Sequence, residues 1–193
     1  MRFMVATLFL ALMPSANSYE VPLYCADSVT SNLRKTDAWL GCRSDEISLG
    51  AGGLSLAWEP VSGIHPYLAA RFKVAKAVAK AEGVDLYIAS GYRSKSRQAY
   101  LFAKAKKKYG SYAEAAKWVL PPEISHHPRG LALDINYPKN RSGAQWLEAN
   151  GARFGLCRLF ENEWWHFESP IAPGETCPEL LPNATVFLEP EKS

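Results

Sequence analysis

The sequence predicts an α+β fold in which helices pack on a small antiparallel sheet. Apolar residues recur at helical spacing in the first half, short alternating segments crowd the second half, and no regular βαβ alternation joins them. With 193 residues, 48% hydrophobic and 21% charged, the chain is too apolar for disorder and too short for two ordinary domains. One globular core is expected.

The chain opens on Arg2, the apolar run Phe3 to Met13 and the small residues of Pro14 to Ser18, the pattern of a secretory signal peptide over residues 1–18. That run falls well short of the roughly 20 apolar residues that span a bilayer. No later segment reaches such a length. The mature chain, 19–193, is therefore expected to be exported, to the periplasm or outside the cell, without a transmembrane segment.

Export makes disulfides the first reading of Cys25, Cys42, Cys157 and Cys177, an even set without a CxxC pair; free buried cysteines are the alternative. Cys25 with Cys42 and Cys157 with Cys177 is the preferred connectivity. Each pair closes a short local loop, worth about 3 kcal/mol on the chain-entropy account.

Residues 19–64 look loop-rich and end in the Gly-heavy stretch Leu49 to Ser55. From Pro66 to Glu82 the apolar residues Leu68, Phe72, Ala75 and Ala79 keep helical spacing, and Gly83 supplies the stop. Asp85 to Ser90 reads as a buried strand. A second helix is expected from about Ser96 to Lys108, closed by Gly110. Ser111 with Glu114 forms a capping box for a short third helix, which Pro121 and Pro122 terminate. Leu131 to Asn136 alternates as a strand, Ser142 to Asn150 is a short helix stopped by Gly151, and Glu163 to Glu168 is aromatic and strand-like. The tail from Pro170 is Pro-rich and acidic, and Asn183-Ala184-Thr185 fits a glycosylation sequon.

The formal charge of +3 offers no global argument for nucleic acid, and no nucleic-acid motif is present. Its distribution is uneven. Arg71 to Lys108 carries eleven Lys/Arg against Glu82 and Asp85, whereas Glu161 to Ser193 carries seven Glu against one Lys. Solvated helix faces explain the basic stretch most simply; attraction of an anionic polymer, such as wall peptides with free carboxylates, is the functional alternative.

Three of the four histidines sit in the two segments richest in metal-ligand types: His126, His127 and Asp134 in one, Glu163 and His166 in the other. A hydrolytic zinc site takes three ligands from His and carboxylates and leaves a fourth position open. His127, Asp134 and His166 would supply such a set, with Glu163 as a base beside it. Asp134 is the most telling, because a carboxylate in an apolar strand costs several kcal/mol unless it is paired or metal-bound.

Ser125 to Asp134 fits S-x-H-x-x-G-x-A-x-D, Glu163 to His166 fits E-x-W-H, and Ser90-Gly91-Tyr92-Arg93-Ser94 with Gln98 fits S-G-Y-R-S-x-x-x-Q. Together these resemble the VanY-type D-alanyl-D-alanine carboxypeptidases, a zinc peptidase family that also includes L,D-carboxypeptidases, D,D-dipeptidases and phage endolysins. The resemblance implies one zinc per chain on His127, Asp134 and His166, with Glu163 as catalytic base. It implies that Arg93 binds the substrate carbonyl or stabilises the oxyanion, and that Gln98 and Ser125 line the substrate cleft. The motif selects His127 over His126. It further implies a single zinc peptidase domain over 19–193, with its motif core at about 85–168 and the zinc site on the sheet.

The implied function is removal of a terminal D-alanine from peptidoglycan stem peptides by a monomeric enzyme. An L,D-carboxypeptidase or endopeptidase of the same family is the alternative within the enzyme class. A non-catalytic wall-binding module is the alternative outside it, and it would need neither Glu163 nor Arg93.

Overall fold

The computed structural model describes residues 22–54 and 63–188. The leader expected at 1–18, Ser55 at the end of the Gly-heavy stretch and the last residues of the tail lie outside them. The architecture is α+β, built on two antiparallel sheets.

The first sheet corrects the expectation of a loop-rich beginning. Strands β1 (Leu23–Asp27), β2 (Leu33–Thr36) and β3 (Glu46–Gly50) pair in the order β2-β1-β3. The Asp27 carboxylate accepts the N–H groups of Val29 and Thr30 at 2.8 and 2.6 Å, which shapes the turn into β2. Arg34 on β2 donates twice to Glu46 on β3, at 2.8 and 2.6 Å, and the Cys25–Cys42 disulfide ties the following excursion back to β1.

Helix α1 (Pro66–Ala81) starts as expected, with Pro66 in its first turn and the His65 ring accepting the Tyr67 N–H at 3.3 Å. It buries Leu68, Phe72, Val74, Ala75 and Ala79. It also buries Arg71, which forms no salt bridge among the described residues. The Arg71 guanidinium donates to the carbonyls of Leu49 (3.0 Å), Gly52 (2.7 Å), Gly155 (3.4 Å) and Ile171 (2.7 Å). One side chain thus clamps the end of β3 to two segments more than eighty residues away. Gly155 has φ +70°, and a Cβ there would press on Arg71 and the Ile171 carbonyl.

The second sheet, in the order β4-β5-β7-β6, carries the candidate site. Strand β4 is only Ile88–Ser90, shorter than the expected 85–90. Asn136 occupies the preceding residues instead: it accepts the Tyr87 N–H at 2.8 Å and donates to the Asp85 carbonyl at 2.8 Å from a left-handed backbone (φ 55°). Helix α2 (Lys95–Tyr109) is capped by Ser94, whose hydroxyl accepts the Arg97 N–H at 3.1 Å, and stops at Gly110 in the left-handed region (φ 84°). Helix α3 (Tyr112–Ala116) is capped by the Ser111 hydroxyl, which accepts the Glu114 N–H at 3.1 Å; the Glu114 carboxylate pairs with Lys117 instead of closing the box, and the helix ends at Ala116, before Pro121.

Strand β5 (Ala132–Ile135) is buried throughout. Helix α4 (Arg141–Asn150) ends at Gly151 as expected, although Gly151 keeps a right-handed backbone (φ −61°) and leads into a 3-10 turn at Gly151–Phe154. Strand β6 (Cys157–Arg158) has no sequence forecast, and β7 begins only at His166 (His166–Glu168) because the preceding residues turn. The tail folds back: Cys157 pairs with Cys177, Leu181 bridges to Phe160, and a 3-10 turn at Ala184–Phe187 is capped by Asn183 of the sequon. One buried cluster runs from Ala26 and Leu49 through Leu68 and Phe72 to Leu133, Ile135 and Phe167, so both sheets share a core.

Candidate metal centre

The ladder of the second sheet aligns the chemistry. Asp134 on central β5 lies opposite His166 on β7 and Ser90 on β4. His127 enters from a 3-10 turn, His127–Arg129, which Gly130 ends in the left-handed region (φ 70°) before β5 begins. Leu131 to Ile135 surrounds Asp134 with buried apolar side chains, so its carboxylate keeps its charge only through polar neighbours.

Those neighbours are specific. Asp134 Oδ1 lies 3.4 Å from His127 Nε2 and 3.4 Å from His166 Nδ1, while Oδ2 accepts a hydrogen bond from Arg93. The outer nitrogen of each imidazole is occupied: His127 Nδ1 donates to the Gly91 carbonyl at 2.7 Å, and His166 Nε2 donates to Glu168 Oε1 at 2.9 Å. Both inner nitrogens are thereby turned towards one point. The three ligand atoms lie within 4.8 Å of one another. Ligands about 2.0–2.1 Å from a tetrahedral zinc are separated by roughly 3.4 Å, the spacing found on both sides of Asp134. The other group of ligand types, Cys25, Cys42 and Glu46, has its sulfurs consumed in a disulfide.

Glu163 sits beside this set, its Oε2 3.6 Å from His166 Nδ1. Burial pushes its carboxyl up to about 7, and the charges of Asp134 and Glu168 act in the same direction against His166 and Arg93. Burial also acts to raise Asp134, but the hydrogen bonds and charge of His127, His166 and Arg93 outweigh it and hold that carboxyl well below the usual range. Two carboxylates that both approach His166 Nδ1 thus differ in proton affinity, one fixed as an anion and the other poised to exchange a proton near neutrality. Burial lowers His127. At His166 burial works in the same sense, yet hydrogen bonds to Asp134 and Glu168 prevail and push the metal-free ring up to about 10.

Arg93 is held on three sides. Its Nε donates to Ser90 Oγ at 2.8 Å, one terminal nitrogen donates to Gln98 Oε1 at 3.1 Å, and the other reaches Asp134. Gln98 is buried, and its amide nitrogen donates to the Leu120 carbonyl at 2.7 Å. Its amide oxygen and nitrogen both have protein partners, so its contact with the centre runs through Arg93. Ser125 is buried in the cleft wall.

Two participants escaped the sequence reading. Glu168 bridges His126 and His166: Oε2 accepts from His126 Nδ1 at 2.6 Å while Oε1 accepts from His166. Burial alone would raise Glu168, but these two bonds hold it down at about 2. The signal was present as strand alternation, since His166 and Glu168 are two apart on β7 and share a face. Phe187 of the tail was not visible at all; its ring lies 5.7 Å from His126 and 5.8 Å from Phe160, which in turn lies 5.3 Å from His166. An open cleft of about 1330 Å³ reaches from this aromatic wall, over the centre, along α2.

The sequence profile of VanY, D-alanyl-D-alanine carboxypeptidase, matches residues 62–168, more than half of the chain. The chain belongs to the VanY family. It is 33% identical over 126 residues to a D-alanyl-D-alanine carboxypeptidase of Enterococcus faecalis, the match covering 54% of this chain and 46% of that protein. The chain therefore spans about half the length of that curated relative. Among solved structures it is similar to the VanY D,D-pentapeptidase of the VanB-type vancomycin resistance cassette, determined as a mutant in complex with Zn(II). There the identity is 28% and the TM-score 0.51, over 58% of this chain and 77% of the other. It is likewise similar to VanYB in complex with D-alanine-D-alanine, with 27% identity and TM-score 0.51 over 61% and 81% of the two chains. The VanY segment contains all the candidate ligands, Glu163 and Arg93; the first sheet and the tail bearing Phe187 lie outside it.

Proposed function

We propose that the protein is an exported zinc D,D-carboxypeptidase that removes the terminal D-alanine from peptidoglycan stem peptides, with residues 19–193 as one monomeric catalytic domain. The observation that carries this reading is the disposition of His127, Asp134 and His166, whose ligand atoms are spaced for one tetrahedral ion with Glu163 alongside. The N/O donor set suits zinc. Membership of the VanY family and the zinc and D-alanine-D-alanine complexes of similar proteins support the choice of ion and substrate. Paired cysteines agree with an oxidising compartment, and among the described residues no helix is long and apolar enough to cross a membrane.

Held by the three ligands, zinc would supply a Lewis acid that acidifies water and polarises the scissile carbonyl. Glu163 takes the proton from the attacking water and returns it to the leaving amine, a two-way transfer that suits a carboxyl with affinity near neutrality. Arg93 keeps two N–H groups beyond its three bonded ones, and its fixed guanidinium offers them to the oxygen on which negative charge develops. Gln98 and Ser90 hold Arg93 in place. Glu168 fixes the ring of His166, and the Gly91 carbonyl fixes that of His127.

Mass spectrometry of purified muropeptides tests the proposal. Loss of one alanine from a pentapeptide, abolished by a zinc chelator and restored by zinc, is the expected result. Cleavage of the tetrapeptide alone would replace it with L,D-carboxypeptidase activity, an internal cut with endopeptidase activity, and no cleavage with the wall-binding module.

A further inference from the structure

The cleft is longer than the release of one residue requires, and its long arm carries positive charge alone. Arg97, Lys104 and Lys108 line it from α2. Their spacing of seven and four residues puts them on one stripe of the helix. The stripe rises about 16 Å, at ~1.5 Å per residue. The carboxylates lining the cleft, Asp134, Glu163 and Glu168, are all buried at the metal end. None of the three cations of the arm forms a salt bridge among the described residues: Arg97 lies over the Tyr100 ring at 5.3 Å, and Lys108 donates to the Tyr109 hydroxyl at 3.0 Å. Helix α2 has no acidic residue to neutralise them. Trp118, stacked on Tyr109 at 6.0 Å, lines the far end.

We propose that Arg97, Lys104 and Lys108 form a subsite for free carboxylates on the acyl side of the peptide substrate. The proposal rests on the peptidase reading of the metal centre. A substrate whose scissile bond lies at that centre reaches the arm through its own chain. In a carboxypeptidase the leaving side is a single residue, so the long arm receives the remainder of the peptide. About 16 Å accommodates about five extended residues at ~3.3 Å each. An acidic peptide of that length places carboxylates against the three cations, whereas a neutral one leaves them solvated.

Two synthetic pentapeptides ending in D-Ala-D-Ala test this, one with free carboxylates at upstream residues and one with the same carboxylates amidated. The readout is the acid-to-amide ratio of kcat/KM for the zinc-loaded protein and for a Lys104→Gln/Lys108→Gln variant. Three exposed charge contacts predict a wild-type ratio of about ten at low salt, shrinking at high salt and approaching one in the variant. A wild-type ratio of one, or the same ratio in the variant, with both peptides cleaved, would overturn the subsite and leave the peptidase reading intact. If neither peptide is cleaved, the peptidase reading fails instead. Calorimetric affinities of the same two peptides then decide the subsite by the same ratio.

Discussion

Glu168 joins His126, the first member of the histidine doublet, to the metal-site residue His166: one of its oxygens accepts from His126 and the other from His166, at 2.6 and 2.9 Å. His126 therefore reaches the centre through a carboxylate and two intervening hydrogen bonds, while His127 faces Asp134 directly. The expected consequence is graded. His127→Ala should abolish stoichiometric zinc, whereas His126→Ala and Glu168→Gln should keep it with affinity lowered about 10- to 100-fold. Metal analysis and chelator competition measure both; zinc lost from His126→Ala and kept by His127→Ala would reverse the assignment.

Zinc must displace a proton. The metal-free His166 ring is raised to about 10, so between its ordinary value of 6.5 and that value it is protonated in the folded protein. Binding at pH 8 should release about one proton, and apparent affinity should rise about tenfold per pH unit there. Calorimetry in buffers of different ionisation enthalpy counts the proton. The same sign governs the metal-free fold: the His166 contribution to stability is fully present below 6.5 and lost as pH rises through about 10.

Arg71 stabilises the junction of three segments. Replacing it with Met removes the donor from four carbonyls, among them those of Gly155 and Ile171 in segments distant in sequence. A loss of about 3 kcal/mol or more is expected in urea unfolding. Unchanged stability would show that water satisfies those carbonyls equally well.

The Cys157–Cys177 disulfide closes a separation of 20 residues and holds the root of the tail that brings Phe187 to His126. A Cys157→Ser/Cys177→Ser variant should lose about 3 kcal/mol. Hydrogen exchange should rise first in 178–188, and exchange unaltered there would mean that the Phe160–Leu181 bridge anchors the tail alone.

What was legible in the sequence follows from the range of the interactions. Ser111, Gly83 and Gly110 act within a few residues of themselves, and the helix ends they mark were readable. The short disulfide loops were readable for the same reason. The first sheet was not, because its strands are four or five residues long, half of β2 is charged, and its order depends on pairing across turns rich in Asp, Ser and Gly. At the site, a motif recorded His127, Asp134, Glu163 and His166. The bonds of Arg71 to Gly155 and Ile171, and of His126 to Glu168, span tens of residues and leave no local periodicity.

Glu163→Gln isolates the proton transfer, because it keeps the size and polarity of the side chain and removes its capacity to take a proton. The variant should bind one zinc per chain, as the ligand set is untouched, and release D-alanine from a pentapeptide about 10²- to 10⁴-fold more slowly. Wild-type turnover with zinc bound would show that Glu163 is not the base.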